Sequence, residues 1–157
     1  MPAEVGQPAP DFSLYDTDRN VRTLQEFRGK TVVLAFFPGA FTGVCTTEAC
    51  TLRDSISEFD GMNAQVLGIT VDGPFAQKEW STQNSVNYPF LSDFNRQAVN
   101  AYDVALPGLA GMEGYVAANR AVIVVDPQGT VQYRWTAPAP VNEPDYAEVK
   151  AAVQSCA

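Results

Sequence analysis

Thr31-Val32-Val33-Leu34-Ala35-Phe36-Phe37 runs directly into Pro38-Gly39-Ala40-Phe41-Thr42-Gly43-Val44-Cys45. The first seven residues carry no charge and are mostly β-branched, aliphatic or aromatic, the pattern of a strand covered on both faces. Pro38-Gly39 stops it. Gly43 to Asp60 then reads as one helix, ended by Gly61. Along it Cys45, Ala49, Leu52, Ile56 and Phe59 follow spacings of 4, 3, 4 and 3, so one face is apolar and Cys45 begins it. A buried strand that turns sharply into an amphipathic helix is the opening unit of a layered α/β domain.

Outward from this unit the pattern continues. Towards the N-terminus, Phe12, Leu14, Val21 and Thr23 alternate with polar neighbours about the turn residues 16–20, which predicts a hairpin. Gly6-Gln7-Pro8-Ala9-Pro10 before it is extended, because a residue preceding proline avoids the helical region. Towards the C-terminus, Gln65 to Val71 is a second buried strand. Gly73-Pro74 opens a helix to about Asn84. Tyr88 to Leu91 is extended, and Asn95 to Tyr102 forms a short helix. Residues 103–119, rich in Gly and Ala, have no clear period. Ala121 to Val125 is a third buried strand, 126–129 a turn, and 130–135 a returning strand. Asn142 is placed to cap a last helix running to about Gln154.

The predicted order is β-α-β-α…β-β-α: a central mixed sheet flanked by helices, with an N-terminal hairpin extension. It fits a thioredoxin-like fold, although flavodoxin-like domains have a similar length. The 157 residues, without repeat or long linker, predict a single domain over 1–157.

Composition narrows the chemistry. The net charge of −8 disfavours phosphate backbones and anionic membranes, so neither nucleic acid nor membrane is an expected partner. The chain has no histidine, which excludes Ser-His-Asp and Cys-His nucleophiles, His-ligated zinc and His-bound haem. Three cysteines, Cys45, Cys50 and Cys156, are too few for a disulfide scaffold or a four-cysteine metal site. Free thiols, with no basic-then-apolar leading segment, place the expected location in the cytoplasm.

A cysteine in the first turn of a helix lies beside unpaired backbone N–H groups and the positive end of the helix dipole, both of which favour a thiolate. A small buried cysteine at a helix start is the plainer alternative. Thr42 can bring a hydroxyl to the sulfur, and Pro38 can shield it. Cys50 lies five residues on, about 140° around the helix and ~8.6 Å away between Cα atoms. A disulfide needs less than about 7 Å. Cys50 is therefore a bystander, or the first helical turn must unwind. The spacing also departs from C-x-x-C.

Pro38, Thr42 and Cys45 in the arrangement P-x-x-x-T-x-x-C resemble the active-site signature of the peroxiredoxins. The likeness extends to Gly6–Phe12, Phe36-Phe37-Pro38, Glu48, Leu91-Ser92-Asp93 and Asn119–Asp126. Within that family the chain is similar to the group of AhpE and PrxQ (bacterioferritin comigratory protein). A second cysteine five positions on is PrxQ-like, whereas Ala40–Cys45 and Asp72-Gly73-Pro74 lean to AhpE.

The resemblance implies a thiol-dependent peroxidase that reduces hydrogen peroxide and organic hydroperoxides. Cys45 is then the peroxidatic thiolate, with Thr42 bonding the sulfur and a peroxide oxygen. Arg120 supplies positive charge, Glu48 orients it, and backbone N–H groups near Val44 and Cys45 bind the peroxide. Cys50 resolves the sulfenic acid as a disulfide, which a thioredoxin- or glutaredoxin-like reductant recycles. No cofactor or metal is implied, and relatives include monomers and homodimers. The competing readings are a protein thiol–disulfide oxidoreductase and a non-enzymatic redox-sensing module.

Overall fold

A computed structural model describes residues 3–156. Its frame is a mixed seven-stranded sheet in the order β2-β1-β5-β4-β3-β8-β9. The strands are β1 (Ser13–Asp16), β2 (Val21–Thr23), β3 (Thr31–Phe36), β4 (Ala64–Thr70), β5 (Phe90–Ser92), β8 (Ala121–Val125) and β9 (Val131–Thr136). β3, β4 and β5 are parallel, whereas β8 runs antiparallel to β3. β1 and β2 form the expected hairpin and join the sheet through β5.

Every residue of β3 is buried, as its unbroken apolar run requires. Its two faces serve different cores. Val32, Leu34 and Phe36 pack with Ile123, Leu67, Phe12 and Tyr102 on one side. Val33, Ala35 and Phe37 pack with Val122, Phe90 and Trp80 on the other. The period-2 alternation of a strand thus divides a seemingly uniform sequence between two layers. Helices α1 (Gly43–Asp54), α2 (Ile56–Gly61), α3 (Pro74–Gln83) and α5 (Tyr146–Ser155) cover the second face, and α4 (Gln97–Ala101) the first. In β4, Gly68 makes room for the Phe90 ring: a Cβ there would stand 2.5 Å from Phe90 Cε1. Among the described residues no helix is long and apolar enough to cross a membrane.

Two expectations need correction, and one stretch left without an assignment acquires structure. The helix read as continuous over 43–60 breaks at Ser55, whose ψ of 2° leaves the helical region, so α1 and α2 are separate. The apolar stripe spans the break because Leu52 and Phe59 enter the same core. The final helix starts after Asp145, not Asn142. The Asp145 carboxylate accepts from the N–H groups of Ala147 and Glu148, while Asn142 Oδ1 accepts from Ala139 N–H. Residues 103–119, which lack a period, form a small hairpin of β6 (Ala105–Pro107) and β7 (Val116–Ala118) around the 3-10 turn Leu109–Gly111.

Candidate active site

The loop after β3 carries the motif to the carboxyl end of the parallel strands, where open α/β sheets place their ligand sites. Pro38 is buried and Phe41 is exposed, with φ of 64°. That left-handed turn delivers Thr42, in extended conformation, as the residue before α1. Ala40 N–H donates to Asp72 Oδ2 at 2.8 Å, so the turn after β4 holds this loop in place.

Cys45 is the third residue of α1 and is wholly buried. Thr42 does not cap the helix with its side chain. The N–H groups of Gly43, Val44 and Cys45 belong to the first turn, which has no acceptors of its own. The Thr42 hydroxyl donates to the Gly39 carbonyl at 2.8 Å. With that proton on Gly39, the lone pairs of the hydroxyl oxygen remain free to accept.

Arg120 reaches the same place from the start of β8, the strand beside β3. Phe36 pairs with Ala121 in antiparallel register, which sets Arg120 beside the end of β3. Its Nη2 donates to Cys45 Sγ at 3.1 Å, its Nη1 to Glu48 Oε1 at 2.9 Å, and its Nε to the Pro140 carbonyl at 2.8 Å. Burial disfavours the guanidinium charge, but the Cys45 sulfur and the Glu48 carboxylate outweigh it and hold its pKa above the ordinary arginine value. Glu48 is fully buried, and among the described residues its Oε2 has no hydrogen-bond partner. Burial pushes this carboxyl up to about 7; Arg120 opposes the shift by hydrogen bond and charge, and Glu143 adds to it.

A cleft of about 290 Å³ opens over this cluster. Its walls include Leu109-Ala110 and Pro140-Val141 beside Pro38, Thr42, Gly43, Val44 and Arg120. Leu109-Ala110, Val141, Asp72 and the Pro140 carbonyl escape a reading of the sequence as site components. A backbone acceptor leaves no residue-type signal, Leu109 lies in the stretch without a period, and Asp72 stands out only as part of a turn.

Cys50 is not in the cleft. It sits half-buried on another side of intact α1, its Sγ 3.7 Å from Asn84 Oδ1. Cys156 follows α5 as its C-cap, and its thiol donates to the Ala152 carbonyl at 3.3 Å. Burial first, then Asp126, push this thiol above its ordinary pKa, and Thr31 opposes them. Thr31 begins β3, whereas Cys45 follows its far end, so the strand's length of about 20 Å separates the two cysteines. All three cysteines are free thiols.

An oriented guanidinium against a buried sulfur, unpaired N–H groups and a small apolar cleft suit attack by sulfur on a compact polar group. Known proteins agree. The chain is 41% identical over 132 residues, 82% of each sequence, to alkyl hydroperoxide reductase E of Mycobacterium tuberculosis. It is 38% identical over 154 residues to a thiol peroxidase of Streptococcus sanguinis, covering 97% of this chain and 90% of that one. The crystal structure of peroxidoxin BcpB from Mycobacterium tuberculosis superposes with a TM-score of 0.84 at 28% identity, covering 97% of both chains. These neighbours place the fold among thioredoxin-like domains. The AhpC/TSA family model matches residues 5–134; the chain belongs to that family and is a peroxiredoxin, an enzyme that reduces peroxides with a thiol.

Proposed function

We propose that Cys45 is the peroxidatic cysteine, and that Arg120, Thr42, Pro38, Glu48 and the N–H groups of Val44 and Cys45 complete the site. The observation that carries this reading is the 3.1 Å contact from Arg120 Nη2 to Cys45 Sγ in a site without histidine. Arginine keeps its proton, so it supplies a fixed charge to the thiolate and to oxygens that become negative in the transition state. The Cys45 sulfur attacks the nearer peroxide oxygen and the O–O bond breaks. The peroxide proton passes to the departing oxygen, which leaves as water or alcohol, and the sulfur is oxidised to a sulfenate that takes up a proton from solvent to become the sulfenic acid. Thr42, its own proton held by Gly39, accepts from the peroxide O–H. Glu48 fixes the plane of the guanidinium, and Pro38 keeps water from the sulfur.

The substrates are hydrogen peroxide and organic hydroperoxides, the latter accommodated by the apolar walls at Leu109 and Val141. Cys50 resolves the sulfenic acid, and a thioredoxin- or glutaredoxin-like dithiol reduces the resulting disulfide. One chain carries every group named here, and its single seven-stranded sheet supports reading it as one domain. Reversible thiol chemistry suits a reducing compartment, so the site is read as cytoplasmic.

Cys45→Ser tests the assignment, because a serine hydroxyl stays un-ionised here. The variant should fold, by circular dichroism, and lose peroxide consumption. Retention of most of the activity would assign the reaction to another thiol.

A further inference from the structure

Among the described residues, five hydrogen bonds tie α1 to residues 80–88. Trp80 Nε1 donates to Thr46 Oγ1 at 3.1 Å, and Tyr88 Oη donates to the Ala49 carbonyl at 3.0 Å. Arg53 Nη1 donates to the Asn84 carbonyl at 2.6 Å. Cys50 Sγ donates to Asn84 Oδ1 at 3.7 Å, and Asn87 Nδ2 to the Arg53 carbonyl at 3.4 Å. The first two bonds grip the stretch between Cys45 and Cys50. They come from side chains almost wholly buried in the aromatic cluster of Phe37, Trp80, Tyr88 and Phe90.

The two halves of the catalytic cycle ask opposite things of α1. Peroxide attack needs it closed, because its first turn presents the N–H groups and holds Cys45 against Arg120. Disulfide formation needs it open, because an intact helix keeps Cys45 and Cys50 beyond bonding distance. Opening must break the Trp80–Thr46 and Tyr88–Ala49 bonds and lift Cys50 from Asn84.

We propose that Trp80 and Tyr88 are positioning residues for resolution: their bonds to Thr46 and Ala49 latch α1 closed and set how fast Cys50 reaches the sulfenic acid on Cys45. The proposal rests on reading Cys50 as the resolving cysteine. In that step the Cys50 sulfur attacks the Cys45 sulfur, the S–O bond breaks, an S–S bond forms, and the hydroxyl leaves with the Cys50 proton as water. While the latch holds, a second peroxide molecule can transfer an oxygen atom to the same sulfur, giving sulfinic acid and a second molecule of water or alcohol. The latch therefore fixes the division between recyclable and over-oxidised enzyme.

The test mixes reduced protein with hydrogen peroxide, quenches with an alkylating agent and follows masses over time. Tyr88→Phe and Thr46→Val each remove one bond and keep the side-chain volume. Both should leave formation of the sulfenic acid at the wild-type rate. Disulfide formation should speed up roughly twofold to tenfold per bond, and the sulfinic fraction at fixed peroxide excess should fall in step. In a Trp135→Phe background, Trp80 emission should change with the disulfide phase. Wild-type disulfide rates in both variants, equal slowing of both phases, or Trp80 emission that stays constant through the disulfide phase would overturn the latch. Peptide mapping of oxidised wild type distinguishes the premise: absence of a Cys45–Cys50 link removes Cys50 from resolution and the latch with it.

Discussion

Arg120 Nη2 stands 3.1 Å from the sulfur of Cys45, though 75 positions separate the two residues in the chain. The antiparallel register of β8 on β3 makes the contact, and the Pro140 carbonyl and Glu48 fix the guanidinium from two further directions. A planar fork held at three corners is poorly replaced by a single ammonium. Arg120→Met should slow sulfenic acid formation tenfold or more, because removing each charge-assisted hydrogen bond costs ~1.5–3 kcal/mol. Arg120→Lys should recover only part of it. Stopped-flow rates should show the deficit even at a pH where the thiol is fully ionised, which separates transition-state stabilisation from ionisation. Coinciding pH–rate curves for wild type and Arg120→Met would leave the helix terminus as the sole activator.

Val141, which lines the cleft together with Leu109, is 70% exposed. An alkyl hydroperoxide buries apolar surface there; hydrogen peroxide does not. Val141→Asp should reduce the rate with a bulky organic hydroperoxide several-fold, given ~25 cal/mol for each Å² of apolar surface that stays in water, and change the hydrogen peroxide rate little. Equal losses with both substrates would mean that the wall supports the site without touching substrate.

The legible parts of this protein are those whose signal is local. The run Thr31–Phe37, the proline stop and the helix opening at Gly43 are each read from adjacent residues, and all stand where expected. Arg120 enters through resemblance, since its meeting with Cys45 depends on strand register, which no short window contains. Ser55 is invisible as a break because Ile56 and Phe59 keep the helical period across it. Asn142 and Asp145 are both good caps by residue type, and residue type alone does not choose between them. The β6–β7 hairpin holds few large apolar residues, so no periodicity announces the wall it supplies.

Asp72 holds the catalytic loop through the Ala40 N–H and is itself anchored, its N–H donating to Thr70 Oγ1 and its carbonyl accepting from Ser92 Oγ. Asp72→Ala leaves the Ala40 donor without a partner, a cost of about 1–3 kcal/mol that the loop can relieve by shifting Thr42. The peroxide rate should fall several-fold while circular dichroism stays unchanged, and Asp72→Asn, which retains an acceptor oxygen, should restore much of it. Failure of Asn to rescue would show that the negative charge, rather than the hydrogen bond, matters.

Glu48 links the site to stability. Burial raises its pKa from 4.5 to about 7, against the opposing hydrogen bond and charge of Arg120 and with a smaller push from Glu143. Below pH 4.5 the carboxyl is protonated in folded and unfolded chains alike. Between 4.5 and about 7 the unfolded chain has released this proton and the folded one retains it, so rising pH favours unfolding. Above about 7 both forms are ionised and the loss, ~3 kcal/mol from a shift of this size, is complete. Glu48→Gln resembles the protonated carboxyl at every pH and removes this slope. Urea unfolding from pH 4.5 to 8 should therefore show the variant gaining on wild type as pH rises, by up to about 3 kcal/mol, with most of the gain below pH 7. Parallel stability curves over that range would mean that Arg120 keeps Glu48 ionised throughout, and that the buried pair is a fixed salt bridge rather than a titrating one.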